Sequence, residues 1–221
     1  MHEASAVGMD ARSPQGRPRQ ARAVRTRARL LQAGTSEFSS RGYAATSTRS
    51  IAEGAQVSVG SFYKYFPSKD ALLHEIAQAR AAEIGERTMQ ILEAPIRRDV
   101  TVEALRAGAR QRMEQVVHVV VEYHRADPAF HAVLTERRHA DPHLDRLTTT
   151  SEHGLVRAIS SLLESWGFRG DVEATAFILF GMVEGAVHAH VLGGPMVSDE
   201  RFVRSLVDGM MTISFPSGAI A

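Results

Sequence analysis

Apolar residues in this chain recur at helical spacing from about residue 22 almost to the end. Nowhere do β-branched residues alternate with polar ones over the length of a strand. No Asn-Gly or Asp-Gly pair sits between two alternating runs, as a hairpin would require. The expected fold is therefore all-α. Punctuation divides the pattern into helices at about 22–41, 47–55, 59–65, 69–93, 101–125, 128–138, 143–166, 171–191 and 199–213. The breaks are Gly42, Pro95, Asp127-Pro128, Asp141-Pro142, Gly167 to Gly170, and Gly193-Gly194-Pro195. Thr46, Ser58 and Ser68 are the expected N-caps, because a short hydroxyl accepts from an unpaired helix-start N–H. Gly42 has the place of a C′ residue, with Tyr43 set to pack back on the preceding helix.

Several classes are excluded early. The chain has no cysteine, so disulfides, thiolate metal sites and cysteine redox sensing are absent. The start, Met1-His2-Glu3-Ala4-Ser5, has neither the basic patch nor the apolar run of a signal peptide. The longest apolar stretch runs from Ala174 to Val183 and stops at Glu184. A membrane span needs about 20 residues, so a buried core helix is expected there, with no membrane partner and a cytoplasmic location. No G-x-S-x-G, phosphate loop or G-x-G-x-x-G occurs, and an enzyme is not expected.

Net charge is +1, but it is unevenly placed. Met1 to Arg29 contains seven arginines against Glu3 and Asp10, giving +5, so the remainder sums to −4. A basic end on a mildly acidic body suits contact with a polyanion. Residues 1–21 read as a disordered basic arm, with Gly8, Pro14, Gly16 and Pro18 and almost no large apolar side chains. Within it, Arg17-Pro18-Arg19 is similar to the core of an AT-hook, whose arginines enter a narrow minor groove. A merely basic leader is the equal alternative.

Residues 46–66 hold two short helices separated by a turn. Ile51, Ala52 and Ala55 form the inner face of the first, Val57 plugs the turn, and Phe62 and Phe66 recur at i, i+4 on the second. Helices this short need partners, which the preceding helix offers through Ala28, Leu31, Gly34 and Phe38. The second helix then shows Val59, Gly60, Ser61, Tyr63 and Lys64 outward, as a major-groove reader does. On spacing alone, a compact three-helix unit with no DNA role is the alternative reading.

The stretch from Arg29 to Ala77 resembles the N-terminal domain of TetR/AcrR-type transcriptional regulators. The likeness is carried by Phe38, Gly42-Tyr43, Thr46, Ile51-Ala52, Val57-Ser58, Phe62-Tyr63-Lys64-Tyr65-Phe66 and Ser68-Lys69-Asp70-Ala71-Leu72. It covers about 50 residues. Two departures stand out: Gln56 replaces the usual turn glycine, and Tyr65 stands where histidine is common. A non-glycine residue at positive φ costs about 1 kcal/mol.

The resemblance implies a helix-turn-helix domain over 22–68, a helical effector-binding and dimerisation domain over 69–213, and a tail over 214–221. It implies that Thr46 caps its helix and contacts phosphate, that Tyr63, Tyr65 and Lys69 donate to phosphates, and that Arg49 and Lys64 face the DNA. Ser58, Val59, Gly60 and Ser61 would line the groove. The implied protein is a homodimeric repressor of a palindromic operator in duplex DNA, released when an effector moves the helix at 69–93. The alternatives are an architectural or cell-cycle DNA-binding protein of this fold without a small-molecule effector, or a ligand-binding helical module whose motif no longer reads DNA.

For the second domain, Gly181, Gly185 and Ala189 form a smooth stripe on one helix face. Glycine costs about 1 kcal/mol inside a helix, and close approach by another helix is the natural compensation. With Phe202, Leu206 and Met210 this stripe suggests a four-helix dimer interface; packing within the chain is the other reading. Candidate pocket residues are Met113, Val117, Val120, His124, Phe130, Leu134, Leu155, Ile159, Leu162, Trp166 and Phe177, apolar positions with polar insertions that suit a small, largely apolar effector. Each taken alone reads first as ordinary core. The ten histidines include His118–Glu122 and Glu184–His188 at i, i+4, with His124, His131, His139 and His143 scattered. No HExxH-like cluster appears, so no metal and no cofactor are expected.

Overall fold

The computed structural model describes residues 16–95 and 101–216, with side chains from residue 20 onward. Among them are nine helices and no strand. They are α1 (Gly16–Ala45), α2 (Thr48–Gly54), α3 (Val59–Tyr63), α4 (Lys69–Leu92), α5 (Val102–Ala126), α6 (Pro128–Arg138), α7 (Pro142–Ser165), α8 (Val172–Val191) and α9 (Asp199–Ser214).

Most boundaries fall where the punctuation predicts, and the exceptions have physical causes. α1 begins at Gly16, not near 22, so Arg17 and Arg19 lie on helical backbone and not in an extended leader. Pro18 fits there because the first N–H groups of a helix have no carbonyl to meet. The rest of the expected arm, 1–15, lies outside the described residues, as do the side chains of Arg17 and Arg19 and most of the tail. At its other end α1 breaks at Gly42 (φ 73°, ψ 169°), which folds Tyr43 back to stack on Phe38 at 5.8 Å. The cap of α2 is Ser47, one residue beyond Thr46: its hydroxyl accepts from Ser50 N while Ser50 Oγ accepts from Ser47 N. Ser58 and Ser68 cap α3 and α4 as expected.

The first three helices and the start of α4 enclose Leu30, Phe38, Ile51, Ala52, Phe62, Phe66, Leu72 and Leu73. Ala28, expected inside, is exposed, and Leu30 and Ala33 are buried in its stead. Gly34 lets α4 come close, because a Cβ there would meet Leu72 Cδ2 at 2.2 Å. In the α2–α3 turn Gln56 takes φ 55°, the one positive φ of a non-glycine residue among those described. The left-handed turn that glycine usually supplies is kept by glutamine.

The larger helical body packs α5, α7, α8 and α9 around Val117, Leu163, Val187 and Val207. It is joined to the first domain by α4, which runs from one core into the other, and by α6. Phe130 on α6 is buried in the N-terminal core, 6.4 Å from Phe38, with Val133 beside it. Asp127 caps α6 through Phe130 N (3.0 Å) and accepts from Ser39 of α1 (2.9 Å) and Arg80 of α4 (2.9 Å). Tyr43 donates to Asp70, Arg137 lies over the Tyr43 ring at 4.1 Å, and His74 meets Asp141, the α7 cap, at 2.6 Å. Burial, followed by the Asp70 contact, pushes the Tyr43 phenol up to about 12.

Candidate nucleic-acid interface and ligand cavity

α3 is five residues long and holds its place through Phe62, whose ring is fully buried and meets Phe66 at 5.9 Å. Ser58 fixes its start, accepting from Ser61 N at 3.1 Å and sharing a 2.9 Å hydrogen bond with Ser61 Oγ. The opposite side is open. Gly60, Lys64 and Ser58 are exposed, Val59 and Ser61 half-buried, and Tyr63 is 54% exposed. Tyr63 Oη lies 3.2 Å from Thr48 Oγ1, and Arg49 on α2 is exposed nearby. A capped helix start with small residues and a projecting lysine is what a major groove admits. Tyr65 is half-buried against the core.

Two residues implied for phosphate contact are occupied elsewhere. Thr46 is buried, and its hydroxyl bonds the carbonyls of Gly42 (2.8 Å) and Glu37 (3.1 Å), so it closes the end of α1 and leaves no donor outward. Lys69 Nζ donates to Tyr43 O and Thr46 O, both at 2.8 Å, and lies 4.1 Å from the Tyr43 ring centroid. Desolvation lowers its pKa. Lys69 thereby ties the end of α1 and the residue after it to α4.

The helical body contains a cavity of about 660 Å³ between α4, α5, α6, α7 and α8. Ala81, Ile84, Met89, Val116, Phe180 and Val183 supply apolar walls. Thr148, Ser151, Arg138, Glu152 and Glu184 supply polar ones. Arg138 is held by Glu152 (2.6 and 3.0 Å) and Asp145 (3.0 Å), and the Glu152 contact chiefly raises its pKa. Its size and mixed lining suit a small organic molecule.

Of the pocket residues expected from sequence, Val120, His124, Leu134 and Leu155 line this cavity. The others do not. Met113, Ile159, Leu162 and Trp166 surround a void of about 30 Å³, too small for an effector, and Val117 is fully buried core. Phe130 belongs to the N-terminal core, and Phe177 is 66% exposed on the outer face of α8. Periodicity marks an apolar face without telling whether core or cavity lies behind it.

One end of the cavity gathers histidines that looked scattered in the sequence. Ligand nitrogens of His124 (α5), His131 (α6) and His188 (α8) lie within 4.8 Å of one another. His131 Nε2 and His188 Nε2 are 2.8 Å apart, and Glu184 Oε2 is 3.6 Å from His188 Nε2. Burial lowers all three imidazole pKa values, that of His131 to about 3, where His124, His188 and Arg80 add to the effect. Burial raises that of Glu184. Only the Glu184–His188 spacing signalled any of this in sequence.

α8 is long and apolar enough, by length and composition, to cross a membrane. In the fold it packs one side on α5, α7 and α9, so it is a core helix on that side only. The other side exposes Phe177, Ile178, Gly181, Gly185, Ala189 and Leu192. Among the described residues, no atom beyond the helix's own adjoining backbone comes within 4 Å of a Cβ built on Gly181 or Gly185. Leu206 and Met210, assigned to the same interface from sequence, are buried within the chain, and Phe202 is stacked on His190 at 4.0 Å.

Residues 30–76 match the family described as bacterial regulatory proteins, tetR family, and residues 109–211 match the tetracyclin repressor-like C-terminal domain. The HTH-type transcriptional repressor KstR2 of Rhodococcus jostii (strain RHA1) is 24% identical over 189 residues, which is 83% of this chain and 90% of that protein. A solved TetR-family regulator from Mesorhizobium loti MAFF303099 superposes with TM-score 0.70 at 20% identity, covering 87% of this chain and 96% of that one. A transcriptional regulator from Saccharomonospora viridis in complex with choline gives TM-score 0.69 at 18% identity, covering 87% and 97%.

Proposed function

The chain belongs to the TetR family of bacterial regulatory proteins and is a DNA-binding transcriptional regulator, not an enzyme, and on that premise we propose that it is an effector-released repressor. In this reading a homodimer on a palindromic operator excludes the transcription machinery. Its place of action is the cytoplasm, on the chromosome. The observation that carries it is α3: Phe62 anchors the helix while Gly60, Tyr63 and Lys64 are exposed beside Arg49, with Val59 and Ser61 half-buried at its start. The relative KstR2 is named a repressor.

The exposed α8 face supports the dimer. Gly181 and Gly185 weaken the helix without allowing any neighbour in their own chain to approach. Flanked by Phe177, Ile178 and Leu192, they suit a second copy packing backbone to backbone across a two-fold axis. Two reading heads on such an axis match the two halves of a palindrome.

The 660 Å³ cavity supports the effector. The complex of the Saccharomonospora viridis protein with choline shows that a regulator of this fold takes up a small molecule. α6 lines the cavity with His131 and Leu134 and reaches the head's core with Phe130. A ligand that prefers one position of α6 therefore shifts the heads, by as much as its affinity differs between the two states.

The test is a footprint of purified protein on DNA upstream of its own gene, against unrelated DNA, at about 150 mM salt. A protected palindrome, weakened by Tyr63→Phe and Lys64→Ala, is expected. Equal affinity for any DNA refutes operator reading.

A further inference from the structure

We propose that His124, His131 and His188, with Glu184 as a fourth donor, form a binding site for one divalent transition-metal ion of the zinc class at the end of the cavity. The three rings converge from α5, α6 and α8, with centroids 4.3 to 4.7 Å apart. His124 is 2% exposed. Its Nδ1 lies 2.7 Å from Val120 O, an atom that can only accept, so Nδ1 carries the ring proton. Nε2 is then a bare lone pair, fully buried and without any hydrogen-bond partner. An imidazole held by a backbone carbonyl on one nitrogen, with the other turned into a cluster, has the arrangement of a metal-ligating histidine.

The other donors fit. His131 Nε2 and His188 Nε2, 2.8 Å apart, share one proton; when a cation binds, that proton moves to Nδ1 of its own ring by tautomer exchange, and both Nε2 lone pairs face the ion. Glu184 Oε2, 3.6 Å from His188 Nε2 and 4.0 Å from His124 Nε2, brings a negative charge. Arg80, the nearby cation, is paired with Asp127 at 2.9 Å. Tetrahedral zinc with bonds of about 2.1 Å spaces its ligands about 3.4 Å apart. The nitrogens, from 2.8 Å to within 4.8 Å of one another, reach that spacing by small ring rotations. Three nitrogens and one oxygen suit zinc, cobalt or nickel, whereas magnesium and calcium prefer all-oxygen sites.

Ligation would also act on the reading head. His131 adjoins Phe130, which is buried in the N-terminal core, so drawing His131 toward α5 and α8 pulls α6 against α1. This second step rests on the regulator reading above; the metal site itself does not.

The experiment titrates chelator-treated full-length protein with Co²⁺ and then Zn²⁺ in the absence of DNA. One Co²⁺ per chain is expected, with the visible absorption of a four-coordinate ion and displacement by Zn²⁺. His131→Gln and His188→Gln, both half-buried, should keep native helical circular dichroism and weaken binding about tenfold or more. His118→Gln, exposed on α5, should leave it unchanged. Absence of stoichiometric binding overturns the site, as does binding that both glutamine variants leave intact. Operator affinity with Zn²⁺ or chelator is then compared: a zinc effect lost in His131→Gln supports the coupling, and no zinc effect overturns it while the cobalt result stands.

Discussion

Asp127 joins the two parts of the molecule, and its removal should show how strongly. Its carboxylate caps α6, accepts from Ser39 of α1 and pairs with Arg80 of α4. An N-cap contributes about 1 kcal/mol, and the Ser39 hydrogen bond about 1 kcal/mol. Arg80 and Asp127 side chains are 23% and 21% exposed, between the exposed pairs worth about 0–1 kcal/mol and buried ones that cost about 3–5 kcal/mol to break. About 2 kcal/mol is reasonable there. The three share one carboxylate and are not additive, so Asp127→Ala should cost about 3 kcal/mol. Asparagine keeps the cap through its one oxygen but puts an amide NH2 where Oδ2 accepts from Ser39 and Arg80, so Asp127→Asn should cost about 2 kcal/mol. Urea denaturation followed by circular dichroism measures both, with the alanine variant also melting roughly 6–12 °C lower. An alanine cost under about 1 kcal/mol, or equal costs for both variants, would refute the idea that this carboxylate fastens α6 to the head.

Other expectations can be tested separately. Lys64→Ala should weaken operator binding and reduce the salt slope by about one, measured by footprinting at several salt concentrations. Gly185→Glu should yield a folded monomer by sedimentation, since among the described residues nothing beyond its own helix backbone meets the new Cβ; a persistent dimer would place the interface elsewhere. Gln56→Val should destabilise by more than about 1 kcal/mol in urea, because a β-branched residue tolerates the φ of 55° poorly. Gln56→Gly should stay within about 0.5 kcal/mol of the parent, relieved strain being offset by a more flexible unfolded chain. For Asp141, burial raises the carboxyl pKa, but His74 and the Leu144 and His143 N–H groups outweigh it and leave the value lowered. A lowered folded pKa gives stability that is present above the unfolded value of about 3.9 and is lost as pH falls through the folded one. Asp141→Asn should therefore flatten the acid limb of stability below about pH 4, read from urea midpoints.

The sequence was legible where short-range rules decide the structure. Asp127-Pro128 and Asp141-Pro142 each start a helix, Gly42 reverses the chain, and Phe62 and Phe66 point inward. It misled where two neighbouring residues compete for one task. Ser47 caps α2 because Thr46, with a methyl to bury, is pulled inside. Lys69 reads as a phosphate donor until Gly42 brings the Tyr43 and Thr46 carbonyls within its reach. The histidine cluster was invisible because its members lie on three helices whose crossing no local spacing encodes. Periodicity likewise could not separate Met113 and Leu162, which fill space, from Val120 and Leu155, which border it.

The burial of Phe130, Val133 and Leu144 in the N-terminal core bears on modularity. A head severed after α4 would lack those three side chains and bare the surface around Phe38 and Tyr43 to water. The smallest autonomous reader of this type therefore includes part of its own sensor. Grafting this head onto another regulator's body should succeed only if that body brings an aromatic residue to the same spot, so the exchangeable unit of this protein takes in α6 and the start of α7 and does not end at α4.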